Sequence, residues 1–295
     1  MRDLLPIHDV ITQVQEAITF GKRAVIVAPP GAGKTTIVPL KLLDNPNING
    51  QIIILEPRRL AARAAASQMA AILNERIGET VGFKIKGLTK VGKQTRIVVM
   101  TEGILIRMIQ SDPSLSEVGC IIFDEFHERS INSDLGLALS LQLAEILRSD
   151  LRIIVMSATL DVGPVSDLLE TKAPIISDGR AYQVNCEYLS RPSSKNVRLW
   201  ENFAKLISDA FEMTEGGILA FLPGEAEIRA TEKLLKEKLP NTAIIMPLYG
   251  SLPFEQQNKI LEPLKNETLR KVVLSTSIAE TSLTISGIKV VVDSG

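Results

Sequence analysis

Short runs rich in Ile and Val alternate along the chain with stretches whose apolar residues recur at helical spacing, the pattern of a parallel sheet covered by helices. Ala24–Ala28, Ile52–Leu55, Arg96–Met100, Cys120–Phe123 and Arg152–Met156 predict strands. Arg58–Ile77 and Asp134–Arg148 carry few breakers and predict crossover helices. Together they predict one α/β domain over 1–172, its pattern fading near Leu169. From Ala173 to Ser194 the composition shifts to Pro, Ser, Asn and Asp, which suits a linker or a pair of connecting strands. The alternation then restarts. Ile218–Leu222, Ala243–Met246, Val272–Ser275 and Val290–Asp293 predict strands and Gly224–Leu239 a helix, giving a second α/β unit over 195–295 that ends directly after a strand and reads as cut short.

Composition narrows the class. With 295 residues, 45% of them hydrophobic, the chain can bury two cores. A formal net charge of −1 gives no global signature of a nucleic-acid binder, so any such binding must come from local patches. One patch is visible: Lys84, Lys86, Lys90, Lys93 and Arg96 lie between Phe83 and Thr101 with no acidic residue among them. It reads equally as a source of phosphate contacts or as a solvated hairpin. An aromatic content of 4% argues against base stacking as the main grip and favours contact with a nucleic-acid backbone, with little sequence preference. Two cysteines, Cys120 and Cys186, cannot build a disulfide framework and fit a reducing compartment. No apolar stretch has the length to span a bilayer and no signal peptide precedes the first strand, so the expectation is a cytoplasmic protein without a membrane partner.

The strongest chemical signal is Ala28-Pro29-Pro30-Gly31-Ala32-Gly33-Lys34-Thr35-Thr36, between a predicted strand and a predicted helix. Glycines let the backbone wrap a phosphate without Cβ clashes, and a helix start points N–H groups at the anion. Pro30 to Thr36 would then cradle a nucleotide, Lys34 reaching its outer phosphates and the Thr35 hydroxyl ligating magnesium. Ala28 stands where the strict pattern has glycine. A second signal is Ile121-Ile122-Phe123-Asp124-Glu125-Phe126-His127, a strand ending in two acids and a histidine. Asp124 at a strand tip can hold the magnesium, and Glu125 can orient and deprotonate the attacking water. His127 reads as a further site residue, although a lone histidine is more often structural. His8 is the only other histidine, which argues against a histidine metal site.

Asp124 to His127, followed by Glu128-Arg129-Ser130, resembles motif II of the DEAH/RHA helicases of superfamily 2, and the AxxGxGKT loop is that superfamily's form. Further strings resemble the family's motifs in order: Glu56-Pro57-Arg58-Arg59-Leu60-Ala61-Ala62 (Ia), Thr101-Glu102-Gly103 (Ib), Ser157-Ala158-Thr159 (III), Phe221-Leu222-Pro223-Gly224 (IV) and Ser275 to Thr284 (V). Phe126 and the strings around Glu56 and Thr101 point to the bacterial HrpB-like branch. The resemblance implies two RecA-like P-loop NTPase lobes with parallel sheets, using ATP and Mg2+ to move along single-stranded RNA or DNA. Within it, Arg58, Arg59, Thr101, Gly224 and Thr276 contact the nucleic-acid backbone, and Ser157 and Thr159 relay nucleotide state to that face. Arg58 and Arg59 add a physical argument, because a helix start disfavours cations unless an anion neighbours them.

Departures accompany the matches. Ser286 stands where many members have an acid that contacts the ribose, and Gln68 where relatives place a base-stacking arginine, which implies weak base selectivity. The family's arginine-rich motif VI is not found in these residues, and an arginine finger is worth about 10³ to 10⁵ in rate. The chain as it stands is therefore expected to bind nucleotide without efficient turnover. Two other classes stay open: a P-loop ATPase of another kind, and a nucleotide-gated adaptor that binds nucleic acid without catalysis. The sequence leaves the choice of RNA or DNA and the oligomeric state undecided.

Overall fold

The structure, a computed structural model, describes residues 5–159, 161–179, 183–189, 199–266, 268–280 and 285–294. The chain divides into two units, 1–183 and 184–295. In the first, eight strands among the described residues form one sheet: β1 (Arg23–Val27), β2 (Gln51–Glu56), β3 (Val81–Ile85), β4 (Leu88–Lys90), β5 (Ile97–Thr101), β6 (Val118–Phe123), β7 (Arg152–Ser157) and β8 (Ile175–Ile176). Their order is β4-β3-β5-β2-β6-β7-β1-β8. All pairings are parallel except the β3–β4 hairpin at one edge.

The central strands are buried almost throughout, Gln51 at the start of β2 being half-buried, because both faces of the sheet are covered, which is why their sequences are nearly continuous apolar runs. Alternate residues of one strand serve opposite cores. Ala24 and Ile26 of β1 join Ile52 and Ile54 of β2 under α1 (Ile11–Glu16), α2 (Lys34–Leu42) and α3 (Arg59–Ile72). Val25, Val27, Ile53 and Leu55 face the other way with residues of α4 (Glu102–Ser111), α5 (Ile131–Ile146) and α6 (Gly163–Leu168). Helix α5 starts where Ser130 caps it, its hydroxyl accepting from the Ser133 N–H at 2.9 Å.

The second unit contains β9 (Gly217–Phe221), β10 (Ala243–Leu248), β11 (Arg270–Ser275) and β12 (Ile288–Asp293), paired in parallel in the order β10-β11-β9-β12. Its helices are α7 (Leu199–Met213), α8 (Glu225–Lys238) and α9 (Phe254–Leu261). Helix α8 has Glu225 and Glu227 in its first turn and Lys236 and Lys238 in its last, the charge order that complements a helix dipole.

The predicted strands appear within one or two residues of their expected limits. The basic run folds as the β3–β4 hairpin and the loop after it, Lys86, Lys90 and Lys93 being exposed and Arg96 donating to the Gly50 carbonyl. Helices α1, α4, α6, α7 and α9 are additions to the sequence reading, and the edge strand β8, which pairs with β1, falls in the segment read as a linker or a pair of connecting strands. Part of the predicted segment Ala173–Ser194, and Thr281 to Thr284 of the string resembling motif V, lie outside the described residues.

Candidate active site

The chemistry-bearing residues of the first unit collect at the C-terminal ends of its parallel strands, where ligands bind in open α/β sheets. After β1 the backbone passes through positive φ at Gly31 (79°) and Gly33 (92°), the latter directly before α2. A Cβ at Gly33 would come within 2.8 Å of Leu5 and 3.3 Å of Ile7, so the loop is shaped by the segment before α1 as well as by its own glycines. The Ile7 N–H fixes that segment by donating to the Ala32 carbonyl at 3.2 Å.

The first turn of α2 delivers Lys34 and Thr35 to the end of β6. Lys34 Nζ donates to Glu125 Oε1 at 2.9 Å, both side chains being buried. Thr35 Oγ1 donates to Asp124 Oδ2 at 2.5 Å, and Asp124 Oδ1 accepts from the Glu125 N–H at 2.8 Å. Asp124 is held in line with the sheet, its N–H bonding to the Leu55 carbonyl of β2 at 3.0 Å. Glu125 has φ 50° and ψ 37°, a left-handed conformation that a residue with a Cβ adopts at a cost.

A third carboxyl belongs to this cluster. Glu56, the last residue of β2, is 1% exposed, and its Oε2 is buried without a hydrogen-bond partner. Burial, then the charges of Asp124 and Glu125, push its carboxyl well above the usual range. Asp124 is also raised, by burial first, against the lowering effect of Lys34. Burial alone would lower the Lys34 ammonium, but the surrounding carboxylates and its bond to Glu125 raise it. Among the described residues no three acidic side chains are grouped to hold a metal by themselves, but Asp124 with the Thr35 hydroxyl on it offers hard oxygens, and the neighbouring carboxyls add negative charge. That chemistry fits a divalent cation such as magnesium.

His127 follows Glu125 in a short helical turn, Phe126–Glu128, pinned by the buried Phe126 ring, which meets Phe123 edge-on. His127 Nδ1 accepts from the Ala158 N–H at 3.3 Å and lies 3.4 Å from Glu125 Oε2. One nitrogen cannot accept and donate at once, so the contact with Glu125 is an ion pair only when the imidazole is protonated. Ser157 and Thr159 close on each other: the Thr159 N–H donates to Ser157 Oγ and that hydroxyl reaches the Thr159 carbonyl, each at 3.2 Å.

Arg58 and Arg59 stand at the start of α3, and Thr101 is both the last residue of β5 and the residue before α4. Arg58 Nη2 lies 3.6 Å from Glu128 Oε2, while Arg59 is exposed. Ser130 Oγ donates to the carboxylate of Glu102, the neighbour of Thr101. In the second unit, Gly224 precedes α8 and Thr276 follows β11, both at the C-terminal edge of that sheet. Glu56, Glu102, Glu128 and Ser130 escaped sequence reasoning as site residues. The signal for Glu56 was present, since it ends an apolar strand with a carboxylate as Asp124 does.

A doubly covered parallel sheet, with a glycine loop and paired acids at its strand ends, defines a RecA-like P-loop chain. The family profile described as DEAD/DEAH box helicase matches residues 9–168, and that described as helicase conserved C-terminal domain matches residues 199–295. The chain belongs to the DEAD/DEAH box helicase family. Its relatives include the ATP-dependent RNA helicase HrpB of Escherichia coli, 45% identical over 98% of this chain and 35% of that protein. The ATP-dependent RNA helicase HrpA homolog of Haemophilus influenzae is 37% identical over 99% of this chain and 22% of its own length. The crystal structure of the Escherichia coli DEAH/RHA helicase HrpB superposes with a TM-score of 0.90 over 98% of this chain and 36% of that one. The chain thus spans about a third of the first of these relatives.

Proposed function

We propose that this chain is the motor portion of an ATP-dependent RNA helicase. The observation that carries the reading is the joined cluster Lys34–Glu125 and Thr35–Asp124, in which a phosphate loop and two strand-end acids meet. Pro30 to Thr36 receive the phosphates of ATP, and Lys34 leaves Glu125 to hold the outer ones. Thr35 and Asp124, with the excess carboxylate charge beside them, are the residues that would hold Mg2+, whose chemistry is to neutralise charge developing on the phosphates. Freed of Lys34, Glu125 accepts a proton from the attacking water, and His127 lies beside its carboxylate to orient it. The contact between His127 and Ala158 ties this turn to Ser157 and Thr159, a route by which nucleotide state reaches the neighbouring strand ends.

Nucleic acid binds through its backbone at Arg58, Arg59 and Thr101, with Gly224 and Thr276 of the second unit as further contacts. The names of the relatives favour RNA over DNA. The roles of Lys34, Asp124 and Glu125 predict that Glu125→Gln in the full-length protein retains ATP binding while turnover falls by about 10² to 10⁴, the range of a lost general base. Turnover at the wild-type rate in a steady-state phosphate-release assay would remove Glu125 from the mechanism.

A further inference from the structure

The turn that carries Glu125 is tied at its far end to both segments read above as strand contacts. Glu125 and Glu128 are the two ends of one hydrogen-bonded turn, the Glu128 N–H donating to the Glu125 carbonyl at 2.9 Å. The carboxylate of Glu128 faces Arg58 at 3.6 Å, and the two side chains are 19% and 23% exposed. Two residues on, Ser130 joins Glu102 beside Thr101 while capping α5. An arginine that is to meet a phosphate is thus engaged by a carboxylate at the end of the turn whose other end is the proposed base.

We propose that Glu128 is a latch on Arg58, which a nucleic-acid phosphate opens by taking the guanidinium for itself. The phosphate can displace Glu128 because it can meet the guanidinium closely and with two oxygens, whereas Glu128 reaches Arg58 only at the long end of ion-pair range. Release of Glu128 removes one of the contacts that hold the turn, beside Phe126 on Phe123 and His127 on Ala158, and because Glu125 closes that same turn its carboxylate shifts with it. Strand binding and the readiness of Glu125 are then two readings of one contact, and by linkage an open latch favours both. This inference rests on the reading of Arg58 as a strand contact.

The test is a double-mutant cycle on Glu128→Gln and Arg58→Ala, read by fluorescence anisotropy of a labelled single-stranded oligouridine. Glu128→Gln should tighten binding about two- to five-fold, the scale of a partly exposed ion pair. The same substitution should change nothing in the Arg58→Ala background, which itself binds more weakly. In the full-length protein, Glu128→Gln should raise ATP turnover without RNA and so reduce the stimulation that RNA gives. Equal tightening in both backgrounds would mean that Glu128 acts only as a negative charge near the strand, and an unchanged affinity would mean no competition; either overturns the latch. If Arg58→Ala alone leaves affinity unaltered, it is the assignment of Arg58 as a strand contact that fails, and the latch goes with it.

Discussion

The two ends of the first unit's parallel strands use charged residues in opposite ways. At the N-terminal ends two arginines are held largely by main-chain carbonyls: Arg148 donates to Ser114, Leu115 and Val118 and to the Asp150 carboxylate, and Arg152 to the carbonyls of Ile18 and Asp150. At the C-terminal ends three carboxyls crowd one ammonium, one carboxyl oxygen has no donor, and Glu125 sits in a left-handed conformation. One edge is built for stability. The other holds charge and strain that a ligand can relieve, the condition expected where a protein has kept a site at some cost to its own stability.

That contrast can be broken from either side. The largest effect should come from the N-terminal edge: Arg148→Ala removes a donor from three carbonyls, of which that of Leu115 keeps the Val118 N–H, and should lower unfolding free energy by about 2–4 kcal/mol in urea denaturation, without changing nucleotide affinity in what remains folded. At the crowded edge the sign reverses. Glu56→Gln removes a buried carboxyl one of whose oxygens has no hydrogen-bond partner, and should stabilise the ligand-free chain by about 1–2 kcal/mol. Because the folded-state value of Glu56 is raised, its wild-type contribution is complete below the ordinary carboxylate range and is lost as pH rises through the folded value, so the advantage of the variant should widen from pH 5 to pH 8. An advantage constant with pH would show that the folded-state value of Glu56 is not raised. The smallest effect concerns Cys120, buried in β6 with its thiol pushed up to about 12 by burial, whereas Cys186 is exposed. Alkylation at pH 8 should modify Cys186 alone in the native chain and both after denaturation, and native labelling of Cys120 would contradict the burial of that strand.

Much of the site was legible because its residues sit at punctuation marks of the sequence, directly after apolar runs or between a run and a helical pattern. Lys34, Thr35, Asp124 and Glu125 are of this kind, and the hydrophobic pattern alone brings them to one edge of a sheet. Glu56 carried the same mark, yet it lies directly before the arginines that drew the chemical reading and was passed over. Glu128, Ser130 and Glu102 were not legible for a different reason. Their partners are distant in sequence, and only the strand order, with β2 between β5 and β6, sets the ends of these three strands side by side. The strands of the fold were clear because parallel strands buried on both faces leave continuous apolar runs. Helix α4 was obscured because its first residues read as a short motif and not as a helix start.

We propose that Lys34 and Thr35 at the start of α2, facing the acids after β6, form a magnesium-dependent nucleotide site. Titration of a fluorescent ATP analogue into the chain, with and without Mg2+, tests it most directly when Lys34→Ala and Thr35→Ala are compared with wild type. Lys34→Ala should weaken binding in both conditions, and Thr35→Ala should remove most of the gain due to Mg2+. Wild-type affinity in both variants, with the magnesium dependence intact, would contradict it.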